Sequence, residues 1–122
     1  MIITKDYLLT HPSHLFVFGD NTIRKGLGGG ARLRYMKNSY GFITKKFPDN
    51  IDSSFYRPEE YFEVYKKEII TLKNFILCSG YEKVLISKLG GGLANKYNIF
   101  ENIILPNIKK NLKEFENIVY LF

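Results

Sequence analysis

Two glycine-rich segments hold most of the residues in this chain that could do chemistry. The first reads Phe18-Gly19-Asp20-Asn21-Thr22-Ile23-Arg24-Lys25-Gly26-Leu27-Gly28-Gly29-Gly30-Ala31. The second reads Ser87-Lys88-Leu89-Gly90-Gly91-Gly92-Leu93-Ala94-Asn95. Glycine lets a backbone turn sharply and approach a ligand closely. Successive N–H groups in such loops cradle phosphate or pyrophosphate. We expect Gly28, Gly29 and Gly30 to form one such cradle and Gly90, Gly91 and Gly92 the other. The competing reading is geometric: a tight connection in the first loop, and packing of the two loops against each other in the second. Gly26, Gly28 and Ala31 match G-x-G-x-x-A, but Asp20 to Lys25 separate them from the preceding apolar run. A dinucleotide fingerprint follows its strand directly. The Gly-Lys-Ser/Thr ending of a P-loop is absent, which disfavours a Walker-type ATPase.

Asp20 and Asn21 are the polar side chains nearest the first loop. A carboxylate and an amide can read a ribose hydroxyl or an adenine amine, or they can cap the loop's own backbone as an Asx turn. Asp20 is also the one candidate for a catalytic role, positioning or activating water. Gly19, Arg24, Lys45, Ser87, Lys88 and Asn95 complete the expected ligand-binding set, with Arg24 or Lys45 screening phosphate charge. Phe55 or Tyr56 could stack on a base, or simply anchor their loop in the core. His11 and His14 stand with Pro12 and Ser13 between them and no cysteine nearby, so no metal is expected. No G-x-S-x-G elbow or Cys–His signature supports covalent hydrolysis. No cofactor is expected.

The chain has 122 residues, 45% of them hydrophobic, which suits one domain spanning 1–122. A net charge of +6 favours an anionic ligand. Nothing matches RNP, KH or helix-turn-helix patterns, so nucleic acid is disfavoured. No apolar run approaches the ~20 residues that span a bilayer, and Met1 to Asp6 lack the basic and apolar regions of a signal peptide. The single cysteine, Cys78, excludes an internal disulfide and reads as a small buried hydrophobe. A reducing cytoplasm fits. A homodimer is open to so small a chain, since a partner's loop could complete the pocket.

The elements that would position the loops follow from the apolar pattern. Residues 14–18 read as a buried strand stopped by Gly19. Residues 31–36 can form a short helix, 40–44 a second strand, and 45–57 a polar loop. Pro58-Glu59-Glu60 opens a long helix, where free N–H groups favour acids. Tyr61, Phe62, Tyr65, Ile69, Leu72, Phe75 and Ile76 would form its buried stripe, and Ser79-Gly80 ends it. A strand follows at 83–87. Residues 99–112 form a helix with an irregularity at Pro106, and 118–121 a final strand. This alternation predicts a three-layer α/β fold, its sheet largely parallel or mixed, with helices on both faces. Ligands of such sheets bind beyond the carboxyl ends of the strands, where both glycine loops fall.

Phe16-Val17-Phe18-Gly19-Asp20-Asn21, Gly26-Leu27-Gly28-Gly29-Gly30-Ala31 and Ile86-Ser87-Lys88-Leu89-Gly90-Gly91-Gly92-Leu93-Ala94 together resemble a group of small phage and bacterial proteins. Their pattern is F-V-F-G-[SD]-N, G-x-G-[GA]-A and a late I-G-x-G-[LI]-A, and the resemblance covers nearly the whole chain. They look like compact relatives of macrodomains, which bind ADP-ribose and related nucleotides between two glycine-rich loops at strand ends. The resemblance implies a macrodomain-like fold and a small phosphorylated nucleotide as ligand. Asn21 with Gly28, Gly29 and Gly30 would form the first phosphate loop, and Gly90, Gly91 and Gly92 the second. It also implies a role as a sponge for a nucleotide signal in phage anti-defence, or, alternatively, as an ADP-ribosyl hydrolase. The remaining alternative is a basic nucleic-acid- or protein-binding module whose glycine loops are structural.

Overall fold

A computed structural model describes residues 2–122; Met1, part of the amino-terminal segment read above, lies outside them. The elements run as α1 (Lys5–Thr10), β1 (His14–Asn21), β2 (Ser39–Lys45), α2 (Pro58–Ser79), β3 (Lys83–Ile86), α3 (Leu105–Asn111) and β4 (Ile118–Tyr120). Short 3-10 turns occupy Gly29–Leu33 and Asp52–Ser54. The strands form one parallel four-stranded sheet in the order β2-β1-β3-β4. The α/β architecture and parallel sheet expected from the apolar pattern are present.

Side chains alternate across a strand with period two, and this divides the core. Leu15, Val17, Phe42, Val84 and Ile86 pack under α2 and α3, against Tyr61, Tyr65, Leu72 and Ile108 among others. Phe16, Phe18 and Leu85 face the other way, against Leu8 of α1 and Ala31 and Leu33 of the first 3-10 turn. The long α2 and the shorter α3 therefore cover one face of the sheet, and α1 and a 3-10 turn cover the other. Among the described residues no helix is long and apolar enough to cross a membrane.

The irregularity expected at Pro106 is a π-helical segment, Phe100–Ile104, that runs into α3. Proline lacks an N–H, and its ring clashes with the carbonyl four residues back. The chain shifts to wider spacing instead: the Leu105 N–H donates to the Phe100 carbonyl, five residues back. Gly80 ends α2 in the left-handed region, at φ 70°.

Four expectations need correction. β1 does not stop at Gly19 but runs through Asp20 and Asn21, which still pair with β2. The short helix expected over 31–36 is a 3-10 helix shifted to Gly29–Leu33, which gives way to further turns. Within the proposed stripe of α2, Phe62 is exposed and Phe75 is 36% exposed, whereas Tyr61, Tyr65, Ile69, Leu72 and Ile76 are buried. Phe62 sits about 100° around the helix from Tyr61, and Phe75 packs sideways on Tyr40 at 4.9 Å between ring centroids. Cys78 is exposed rather than buried, since two residues carry it about 200° around the helix from Ile76.

Candidate functional site

β1 and β3 are neighbours and parallel, so their carboxyl ends open on one side of the sheet. A cavity of about 360 Å³ lies there. The two glycine loops border it, with a third wall from the segment after β2 that includes Lys45, Pro48 and Asn50. An irregularity in β2 shapes the floor. Asp20 pairs with Ile43 but Asn21 pairs with Lys45, so Thr44 is an extra residue in the ladder. Such bulges re-aim side chains; here the buried Thr44 donates to the Asp20 carbonyl at 3.4 Å.

Of the residues chosen from sequence, Gly19, Asp20, Asn21, Gly28, Gly29, Gly30, Lys45, Ser87, Lys88, Gly90 and Gly92 border this cavity. Arg24, Gly91 and Asn95 do not. Arg24 turns into a second cleft. A Cβ on Gly91 would collide with the aliphatic stem of Lys88, so this glycine makes room for that lysine. Asn95 caps the π-helical segment: its Oδ1 accepts the Phe100 N–H at 3.1 Å and its Nδ2 donates to Glu101 at 2.8 Å. Phe55 and Tyr56 are buried and anchor their loop. The two loops also approach each other, in line with the geometric reading: a Cβ on Gly28 would lie 3.4 Å from Leu93 Cδ1.

Asp20 and Asn21 serve the first loop itself. Asn21 Nδ2 donates to the Lys25 carbonyl at 2.7 Å and Oδ1 accepts the Ile23 N–H at 3.2 Å, an Asx-type arrangement. Asp20 Oδ1 accepts the Asn21 N–H at 2.8 Å and Arg34 Nη2 at 2.6 Å. Its Oδ2 accepts Arg34 Nη1 at 2.9 Å and Arg24 Nη1 at 3.1 Å. Arg34 therefore grips Asp20 with a bidentate fork, the side chains being 8% and 2% exposed. The same guanidinium donates from Nε to the Gly26 carbonyl and from Nη2 to the Lys25 carbonyl, both at 3.1 Å. One buried residue thus pins the first loop along its length. Its distance in sequence from Asp20 leaves no local signal by which spacing alone would find it.

Burial pushes the Asp20 carboxyl up. The Arg34 and Asn21 hydrogen bonds, the Arg24 hydrogen bond and the Arg34 charge outweigh that and hold it below the usual carboxylate range. A carboxylate with both oxygens committed and a depressed pKa is a poor base for water. The depressed pKa also sets a pH dependence. The stability that ionised Asp20 contributes is fully present above the unfolded pKa of about 4 and is lost as pH falls through the lower native value. Acid titration of unfolding free energy is expected to show this loss in wild type and a weaker loss in Asp20→Asn. Identical profiles for the two proteins would contradict the placement of this charge.

The polar groups left uncommitted around the cavity are mostly donors. Lys25, Lys45 and Lys88 border it, and none has an ion-pair partner among the described residues. Burial lowers the pKa of Lys45, with Asp49 partly opposing, and its ammonium lies 4.5 Å from the centre of the Phe55 ring. Among the described residues, the backbone N–H groups of Gly28, Gly90 and Gly92 donate to no other backbone carbonyl. Ser87 Oγ donates to the Val17 carbonyl at 2.8 Å. Leu27, Pro48 and Leu93 supply apolar surface, and Leu27 and Leu93 are 56% and 69% exposed. Lys25, Leu27, Thr44, Pro48, Asn50 and Leu93 were not in the set chosen from sequence. Lys25 and Leu27 flank Gly26, and that adjacency was the available signal.

The histidines lie at the opposite end of β1. Tyr7 Oη and His14 Nδ1 are 2.8 Å apart, and His11 stacks on Tyr7 at 4.0 Å. Burial lowers the His14 pKa, as does the nearby His11. Among the described residues no group of three His, Cys, Asp or Glu side chains could hold a metal ion.

Sheet and cavity together define a small parallel α/β domain with a donor-lined cleft at its strand ends. Residues 1–96 match a family described as "Family of unknown function (DUF7831)", and the chain belongs to that family. No curated protein and no solved structure matches the chain.

Proposed function

We propose that this cleft binds a phosphorylated nucleotide of the ADP-ribose type and holds it without turnover. The observation that carries the reading is the donor-rich lining. Three unpaired lysines and unpartnered glycine N–H groups surround a cavity whose nearby carboxylate, Asp20, is already neutralised. Such a lining matches oxyanions and penalises a neutral or cationic guest. The apolar surface of Leu27, Pro48 and Leu93 suits the face of a base or ribose. A volume of about 360 Å³ falls at the lower end of the range for small-molecule sites. The likeness of the two loops to those of macrodomains supports the same ligand class and a macrodomain-like fold.

Capture is favoured over hydrolysis because the cleft offers no free general base. Asp20 is saturated by Arg34, Arg24 and Asn21, and among the described residues no histidine or other carboxylate borders the cavity. A sponge for a nucleotide signal needs only this. The experiment is calorimetric titration with ADP-ribose and with adenosine, in wild type and in the triple variant Lys25→Gln, Lys45→Gln, Lys88→Gln. ADP-ribose is expected to bind wild type at least about tenfold more tightly than adenosine, the effect of one charged hydrogen bond. The variant is expected to lose that preference. Equal affinities in wild type would sink the reading.

A further inference from the structure

Arg24 finds no role in the first cleft, and its surroundings form a site of their own. A second cleft, of about 440 Å³, is lined by Arg24, Arg34, Lys37, Tyr40, Gly41 and Phe75 among others. Its one carboxylate is Asp20, and that group is already taken by the buried Arg34 fork. A single carboxylate cannot neutralise two guanidinium groups. Arg24 is therefore excess charge, half exposed at 49%. Only its Nη1 is engaged, by Asp20 at 3.1 Å and the Gly41 carbonyl at 2.7 Å. Its remaining N–H groups have no partner among the described residues. Lys37, exposed and without an ion pair among the described residues, adds a second free cation. Glu68, the other acid near Tyr40, turns one oxygen to the Ile43 N–H at 2.6 Å and does not line this cleft.

The rest of the wall is aromatic. Tyr40 and Phe75 stand 4.9 Å apart, and Gly41 leaves the floor between them and Asp20 bare. A Cβ there would overlap the Asp20 carboxylate, so no other residue fits. Arg24 itself sits at φ 56°, in the left-handed region that disfavours a non-glycine residue. In that conformation its guanidinium reaches back over β2.

We propose that this second cleft is an anion site separate from the first, taking an oxyanion carried on a flat ring. Arg24 and Lys37 hold the oxyanion, and the ring lies against Tyr40 and Phe75. The proposal does not rest on the nucleotide reading of the first cleft.

Phenyl phosphate, with inorganic phosphate beside it, is titrated into isotope-labelled protein while amide resonances are followed. Phenyl phosphate is expected to shift Tyr40 and Gly41 and to bind there at least threefold more tightly than inorganic phosphate. The double variant Arg24→Gln, Lys37→Gln is expected to weaken that response at least tenfold. Lys37→Glu, a change at an exposed residue outside the Asp20 network, is expected to weaken it severalfold in a protein of unchanged stability. Resonances of Gly28 and Gly92 report the first cleft and distinguish failure there from failure here. Absence of any response at Gly41, or a response that survives both variants, would overturn the proposal.

Discussion

Replacing Arg34 with alanine is expected to lower the unfolding free energy by about 3–5 kcal/mol, the range for removing one partner of a buried ion pair. The value should fall towards the lower bound, because Arg24 still reaches Asp20 Oδ2. The loss has a local cause. Asp20 is 2% exposed and would keep a charge with half its partners gone. The Gly26 carbonyl would lose the donor Arg34 gives it, and the Lys25 carbonyl would keep only Asn21 Nδ2. Arg34→Lys keeps the charge but not the fork. It should recover part of the stability while leaving residues 24–30 open to hydrogen exchange. Denaturant unfolding with exchange mass spectrometry measures both. Loss of less than about 1 kcal/mol in Arg34→Ala, a surface-pair value, would mean that Arg34 does not pin the loop.

Replacing Gly92 with valine is expected to weaken nucleotide binding by about tenfold to a hundredfold, or 1.4 to 2.8 kcal/mol, with little change in stability. Gly92 borders the cavity, and a Cβ added there meets nothing within 4 Å. The added methyls therefore enter open space instead of the core. Gly90 makes the contrast. It sits at φ 72°, and a Cβ there would press on Ile99 and Ile104, so Gly90→Val should destabilise the fold itself. If Gly92→Val binds ADP-ribose as wild type does, the second loop is a packing device.

How much of this was legible in the sequence depends on the range of the interaction. The strand cores around Phe16–Phe18 and Val84–Ile86, the long helix opened by Pro58 and the disturbance before Pro106 follow from periodicity and proline chemistry, which are local. The carboxyl end of β1 did not follow, because Asp20 and Asn21 look like loop residues until β2 is placed beside them. The roles of the site residues were harder still. Nothing in the spacing says that Arg34 returns to Asp20, or that Arg24 leaves the first cleft for the second. Asn21 is the instructive case. Its type suits a ligand or a turn, and only the positions of Lys25 and Ile23 show that it holds the turn. Cys78 and Phe62 show the limit of reading a helix by composition, since a residue or two of rotation separates a buried position from an exposed one.

The central claim is that the cleft captures a phosphorylated nucleotide and returns it unchanged. The most direct measurement incubates the protein with a stoichiometric amount of ADP-ribose, removes free ligand, denatures the complex by heat and identifies the released molecule by mass spectrometry. The account predicts intact ADP-ribose, about one per chain, recovered unchanged after long incubation. Release of hydrolysed fragments that Asp20→Ala abolishes, or recovery of no nucleotide at all, would contradict it.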